Sequence, residues 1–189
     1  MIAHALSTGG ASRVYILGRR KEKLDAAATH HPSLHVLQCD ITSKESLQTA
    51  VDFIASEAGH INLLVANSGI LGSTGSFVPG QSVSQIRKSM FEDTSMSDFT
   101  NTFNINVTAT YFSMLAFLEL LDAGNAAALK GGFGKPTQEG GIVPSIQAQV
   151  IVTSSVGAFL REWMCAPAYA GSKAAIMHLV KHASTGLAP

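Results

Sequence analysis

The sequence predicts an α/β fold with a parallel sheet of about four strands. Three observations lead there. Short apolar segments rich in β-branched and aromatic residues recur at 13–17, 34–39, 61–66 and 150–153. Stretches of helix-forming composition or periodicity separate them, and strands returned by helices lie parallel. Each strand segment reads as an apolar run rather than an alternation, the pattern of a sheet covered on both faces. No linker, composition break or internal repeat interrupts residues 1–189, which are read as a single domain.

The elements follow in order. Arg13-Val14-Tyr15-Ile16-Leu17 is a buried strand ended by Gly18, and 21–28 is rich in helix formers. After the second strand, Thr42 or Ser43 caps a helix with Glu45 in its first turn and Leu47, Val51 and Ile54 on one face; Gly59 stops it. The third strand ends at Asn67-Ser68-Gly69. A Ser-, Gly- and Thr-rich loop is expected over 71–95, then a long helix over 97–121. Several glycines and two prolines make 123–147 a second loop. The fourth strand and a final helix over 168–187 complete the chain.

Thirteen basic and thirteen acidic side chains leave no net charge, against the basic face of a nucleic-acid binder. Hydrophobic residues at 46% and charged residues at 14% argue against a disordered chain. No apolar run reaches the roughly eighteen residues of a membrane span; the longest, 111–121, contains Glu119. The first residues lack a basic segment and reach Thr8-Gly9-Gly10 too soon for a signal peptide. Only Cys39 and Cys165 occur, far apart, so a reducing, cytoplasmic location is expected rather than a disulfide framework.

Tyr169-Ala170-Gly171-Ser172-Lys173 sets a phenol and an ammonium four residues apart, on one face of a helix. A free phenol titrates near 10. Acid/base work near pH 7 needs its proton affinity to fall about a thousandfold, on the order of 4 kcal/mol. A nearby cation acts in that direction, and a bound cationic cofactor ring adds to it. By itself the spacing is weak, since a surface pair looks the same. Its context is stronger. Ser155 lies fourteen residues earlier, after the fourth strand, where α/β proteins place their sites and where a hydroxyl can donate to a carbonyl oxygen. Asn67-Ser68-Gly69 follows the third strand, Asp40 the second, and Gly18-Arg19-Arg20 the first.

Taken in order, these residues resemble the short-chain dehydrogenase/reductase family, whose fold is a Rossmann-like doubly wound parallel sheet. The resemblance rests on Gly18-Arg19-Arg20, Asp40-Ile41-Thr42, Ala66-Asn67-Ser68-Gly69, Asn104-Ile105-Asn106-Val107, Ser154-Ser155 and Tyr169/Lys173, and it spans nearly the whole chain. It implies Tyr169 as general acid/base, Lys173 as its modulator and ribose ligand, and Ser155 (Ser154 the alternative) as the group orienting a carbonyl or hydroxyl. It further implies that Asn106 anchors a relay water, that Asn67 and Gly69 line the cofactor path, and that Asp40 contacts the adenine. An acid after the first strand here would bind the ribose 2′-hydroxyl of NAD, whereas arginine accommodates the 2′-phosphate of NADP. Arg19 and Arg20 stand there with no acid until Glu22, so NADP is expected over NAD. A small-molecule carbonyl or alcohol is the implied substrate, and a homo-oligomer or hetero-dimer through the two long helices the implied assembly.

The sequence also departs from the family. The first strand with its Gly-rich phosphate turn would precede Met1, and two last strands would follow Pro189, leaving a partial domain with an incomplete sheet. Residues 1–6 then read as the end of the helix after that turn. The 13–17 and 61–66 strands would face a gap in the sheet, pairing directly or leaving backbone groups unpaired. The alternative function that follows is a catalytically inactive truncated form acting as a dimerisation partner. Gly131-Gly132-Phe133-Gly134-Lys135-Pro136 lacks the leading glycine and the Ser/Thr of a phosphate loop, and reads as an insertion. His178 and His182 lack the Glu of a zinc-protease helix, so no metal is expected. His30, His31 and His35 read as solvated, and Phe103, Phe112, Leu115 and Leu118 as core or subunit contact; Cys165, close before Tyr169, is placed to line the site but reads rather as a buried or inert thiol.

Overall fold

The structure is a computed structural model that describes all residues except 30, 73, 74, 76, 162–164, 188 and 189; His30 is therefore outside the described residues. Two compact units, Met1–Glu57 and Ala58–Pro189, are taken in turn.

In the first unit, α1 (Ile2–Thr8) leads to β1 (Val14–Gly18), α2 (Lys21–Ala28), β2 (Leu34–Gln38) and α3 (Lys44–Ala58). β1 and β2 pair in parallel from Val14–Leu34 to Gly18–Gln38. Leu47, Ala50, Val51 and Ile54 form the buried stripe of α3, the 3.6-residue periodicity read from the sequence. Ser43 is the cap, its hydroxyl accepting from the Ser46 N–H at 3.1 Å. The Asp40 carboxylate before it accepts from the Thr42 N–H at 3.0 Å and the Thr42 hydroxyl at 2.7 Å. Those two bonds, with a smaller contribution from the Arg19 charge, hold the Asp40 carboxyl below the usual carboxylate range.

The second unit holds β3 (Leu63–Ala66) and β4 (Gln149–Val152), parallel from Leu63–Gln149 to Ala66–Val152. The four strands thus form two two-stranded parallel sheets, an incomplete α/β fold. Among the described residues β1 pairs with β2 and β3 with β4.

Two helix expectations need correction. The loop expected over 71–95 contains a short helix, α4 (Val83–Arg87), continued by a widened turn over Lys88–Glu92. The Ser82 hydroxyl and the Gln85 side chain cap each other's backbone N–H groups, a local signal present in Ser82-Val83-Ser84-Gln85. The helix expected over 97–121 is α5 (Met96–Phe103), a turn widened to five-residue hydrogen-bond spacing (Asn104–Ala109) and α6 (Thr110–Ala116). It bends by 42° at Phe117 into α7 (Leu118–Leu129). The loop expected from residue 123 therefore starts at 130. Ala126-Ala127-Ala128-Leu129 favours helix, and Gly124 is there for packing rather than as a breaker. A Cβ on Gly124 would stand 2.3 Å from the Ile61 carbonyl oxygen. Beside it, the Ile61 N–H donates to the Leu120 carbonyl at 3.0 Å. A short turn over Val156–Ala158 and the long α8 (Pro167–Gly186) complete the unit, with Pro167 in the first turn where its missing N–H costs nothing. Met114, Phe117, Leu120 and Ala128 are buried in this unit, as is Ile176 of α8. No single helix among the described residues is long and apolar enough to cross a membrane.

Replacing glycine by alanine inside a helix normally stabilises by about 1 kcal/mol. Here the contact with Ile61 reverses the sign: Gly124→Ala is expected to lower unfolding stability by about 1–3 kcal/mol in urea melts, and a gain would refute the close approach. Asp40 gives a pH prediction. Its depressed pKa contributes stability that is full above the ordinary carboxylate value of about 4 and is lost as pH falls through the folded value. The urea midpoints of wild type and Asp40→Asn should therefore converge as pH drops below about 4; a pH-independent difference would exclude the linkage.

Candidate active site

The polar groups of the second unit converge on the start of α8. Tyr169 and Lys173 are one turn apart there, the Lys173 Nζ 5.8 Å from the centre of the Tyr169 ring. Lys173 is 5% exposed. Its ammonium donates to the Thr153 carbonyl, just past β4, at 2.8 Å, and takes part in no ion pair among the described residues. A buried ammonium has three donors and needs acceptors for them. One is met by the chain. The Tyr169 hydroxyl has no hydrogen-bond partner among the described residues.

The two candidate serines separate clearly. The Ser154 hydroxyl donates to the Lys173 carbonyl at 3.1 Å, which engages its proton in the fold. The Ser155 Oγ accepts from the Gly157 N–H at 3.1 Å and donates to no acceptor among the described residues. A point one Cβ out from Gly157 lies 3.4 Å from Ser155 Oγ and 3.8 Å from Tyr169 Cε1, so both residues border the same corner. Cys165 Sγ lies 2.9 Å from that point, placing a thiol at this corner that its neighbourhood in sequence only hinted at.

Asn106 is 1% exposed and sits in the widened turn between α5 and α6. Its Oδ1 accepts from the Ile70 N–H at 2.8 Å, and its Nδ2 donates to the Ile70 carbonyl at 2.8 Å and to Ser172 Oγ at 3.0 Å. The loop after β3 is thereby held as if by a strand partner. Gly69 packs closely there: a Cβ would stand 3.0 Å from Asn106 Oδ1 and 3.4 Å from Lys173 Nζ. Asn67 Oδ1 accepts from the Thr153 hydroxyl at 3.0 Å, which joins the ends of β3 and β4.

The structure thus brings together Asn67, Gly69, Asn106, Ser155, Tyr169 and Lys173. In the first unit, Arg19 and Arg20 follow β1, both exposed and outside the ion pairs among the described residues. The Arg19 carbonyl accepts from Gln38 Nε2 at 2.9 Å, and Arg20 enters α2 with extended backbone. Three contributors escaped the sequence reading: Ser172, Thr153 through its carbonyl, and the backbone of Ile70. Ser172 had a signal, since it stands three residues after Tyr169 and beside Lys173. The other two act through main-chain groups that every residue carries.

The family model described as short chain dehydrogenase matches residues 1–129. Short-chain dehydrogenase/reductase SAT3 of Stachybotrys chartarum is 54% identical over 188 residues, covering 99% of this chain and 69% of that protein. Short-chain dehydrogenase/reductase PhomF' of Diaporthe leptostromiformis is 42% identical over 191 residues, covering 99% of this chain and 60% of that protein. Among solved structures, a short-chain type dehydrogenase/reductase from Mycobacterium marinum superposes with a TM-score of 0.73 at 22% identity, over 100% of this chain and 64% of that one. An NAD+-bound xylitol dehydrogenase gives 0.70 at 22% identity, over 94% of this chain and 56% of that one. The chain spans 60% to 69% of the length of the curated relatives it matches. With an ordered set of strand-end residues, a Tyr–Lys pair on α8 and this similarity over nearly its whole length, the chain belongs to the short-chain dehydrogenase/reductase family of oxidoreductases.

Proposed function

We propose that the chain is an NADP-dependent oxidoreductase that interconverts a small-molecule carbonyl and a secondary alcohol, with Tyr169 as acid/base. The observation that carries the reading is the 5% exposed Lys173 ammonium, which among the described residues has one acceptor and stands beside a phenol with no hydrogen-bond partner. Such a pair fits a ligand that brings hydroxyls to the lysine and an oxygen to the tyrosine, as the ribose and the substrate would. The bound nicotinamide supplies or accepts the hydride. Tyr169 gives its hydroxyl proton to the carbonyl oxygen, or takes the proton of the alcohol in the reverse direction. Lys173 holds positive charge next to the phenol while its remaining N–H groups bind hydroxyls. Ser155, which donates to no acceptor among the described residues, donates to the same substrate oxygen. Asn106 would anchor the relay water, its side-chain amide being taken up by Ile70 and Ser172. Asn67 and Gly69 would line the cofactor, Asp40 would meet the adenine, and the exposed guanidiniums of Arg19 and Arg20 suit a 2′-phosphate better than the bare ribose of NAD. Both cysteines are free, which suits a reducing, cytoplasmic location.

Fluorescence titration with NADPH tests this. Saturable binding is expected, and Arg19→Ala with Arg20→Ala should weaken it at least about tenfold while leaving NADH binding little changed. Tyr169→Phe should lower turnover of NADPH with a panel of ketones by about 10²–10⁴-fold, with affinity for NADPH nearly unchanged. Absence of saturable binding, or full turnover in Tyr169→Phe, would end the reading.

One observation favours the second reading, a non-catalytic partner that pairs through the long helices. Phe99 and Leu115, on α5 and α6, are each 39% exposed. Co-expression with a longer relative and native mass spectrometry should then reveal a mixed dimer that Leu115→Glu disrupts, and only homogeneous species would exclude it.

A further inference from the structure

We infer that Ser172 is a positioning residue of this site, the single hydroxyl through which Asn106 and the Tyr169 turn of α8 set one another. The inference rests on the proposed roles of Tyr169 and Asn106 for its functional meaning, but its geometry stands apart from them. Ser172 is 0% exposed. Its hydroxyl donates to the Tyr169 carbonyl at 2.7 Å, which orients the proton along the helix and turns a lone pair outward. That lone pair accepts the Asn106 Nδ2 hydrogen at 3.0 Å. The same Nδ2 donates to the Ile70 carbonyl, and Asn106 Oδ1 accepts from the Ile70 N–H.

One hydroxyl therefore links the α8 backbone at Tyr169, the widened turn of α5–α6 and the loop that carries Gly69. The arrangement has a direction. A serine that donates to the carbonyl three residues back can offer Asn106 only an acceptor, so Nδ2 must face α8 and Oδ1 must face the Ile70 N–H. Reversal of the Asn106 amide would set two donors against each other at Ile70 and leave a buried oxygen beside a hydroxyl without a free proton. Ser172 thereby reinforces the amide orientation that the two Ile70 backbone groups already demand. Removal of the hydroxyl leaves one Nδ2 hydrogen buried without a partner, and the strain is relieved at Asn106, at Ile70 or at the start of α8.

The test needs neither cofactor nor substrate, so a failure to bind NADPH would defeat the functional reading and leave this one to be decided separately. Hydrogen exchange is followed by NMR in the full chain, at the Asn106 side-chain amide and the Ile70 N–H. Tyrosine labelled with ¹³C at Cζ gives one signal each for Tyr15, Tyr111 and Tyr169, the only tyrosines, with Tyr169→Phe identifying the third. In Ser172→Ala, exchange at both amide sites should rise at least about tenfold, the size of a lost buried hydrogen bond. The Tyr169 signal should move while those of Tyr15 and Tyr111 stay. Ser172→Thr keeps the hydroxyl and should restore the signal and the protection. Should the alanine variant not fold, Ser172→Cys, close in volume but a weak hydrogen-bonding group, carries the same readings. Unchanged exchange at Asn106 and Ile70, or an unmoved Tyr169 signal in a folded variant, overturns the inference.

Discussion

Asn106 stands inside the second unit at 1% exposure, with its amide joined to both backbone groups of Ile70 and to Ser172. Those three bonds tie the loop after β3 to a helix turn 36 residues later, and that turn to α8, a further 66 residues on. Each alone contributes about 1 kcal/mol net, but a buried amide left without partners costs about 1–3 kcal/mol. The asymmetry makes the cluster specific rather than merely stabilising: a loop or helix shifted out of register meets an unpaired polar group, not a weaker contact. Gly69 packs against the same cluster, where a Cβ would stand 3.0 Å from Asn106 Oδ1 and 3.4 Å from Lys173 Nζ.

The widened turn over Asn104–Ala109 belongs to this arrangement. Five-residue spacing inserts an extra residue into the helix and changes which side chains face inward, at little cost where a buried side chain compensates. Asn106 and Ala109 are the buried residues of that turn, and α5 and α6 continue on either side. A polar residue in a helix interior would usually favour solvent. Here the backbone of Ile70 takes the place of water.

Lys173 shows the complementary case, a charge brought in with incomplete compensation. Its stem is buried, its ammonium reaches the Thr153 carbonyl, and no carboxylate pairs with it among the described residues. The fold keeps a cation ready beside Tyr169 and Gly69. Ser154 and Ser155 divide in the same manner: one hydroxyl anchors to the Lys173 carbonyl, and its neighbour donates to no acceptor among the described residues.

Much of this was legible in the sequence because it is local. Apolar strand segments, the capped amphipathic α3, and a Tyr–Lys pair four residues apart depend on period and spacing, and each appears where the pattern put it. The capping pair Ser82/Gln85 was equally local and was hidden only by the Gly- and Ser-rich loop around it. Gly124 misled for a physical reason: in sequence it is a helix breaker, and only contact with Ile61, 63 residues away, makes it a packing residue. The resemblance named Ser155 with Ser154 as the alternative, but that the Ser154 hydroxyl donates to the Lys173 carbonyl could not be read from two adjacent serines. Nor could the partners of Asn106 be read, since Ile70 contributes only main-chain atoms. The residue types and local elements were therefore determined by the sequence itself. Which donors and acceptors remain free was decided only by the tertiary structure, because a hydrogen bond is allotted by proximity in space and not by separation along the chain.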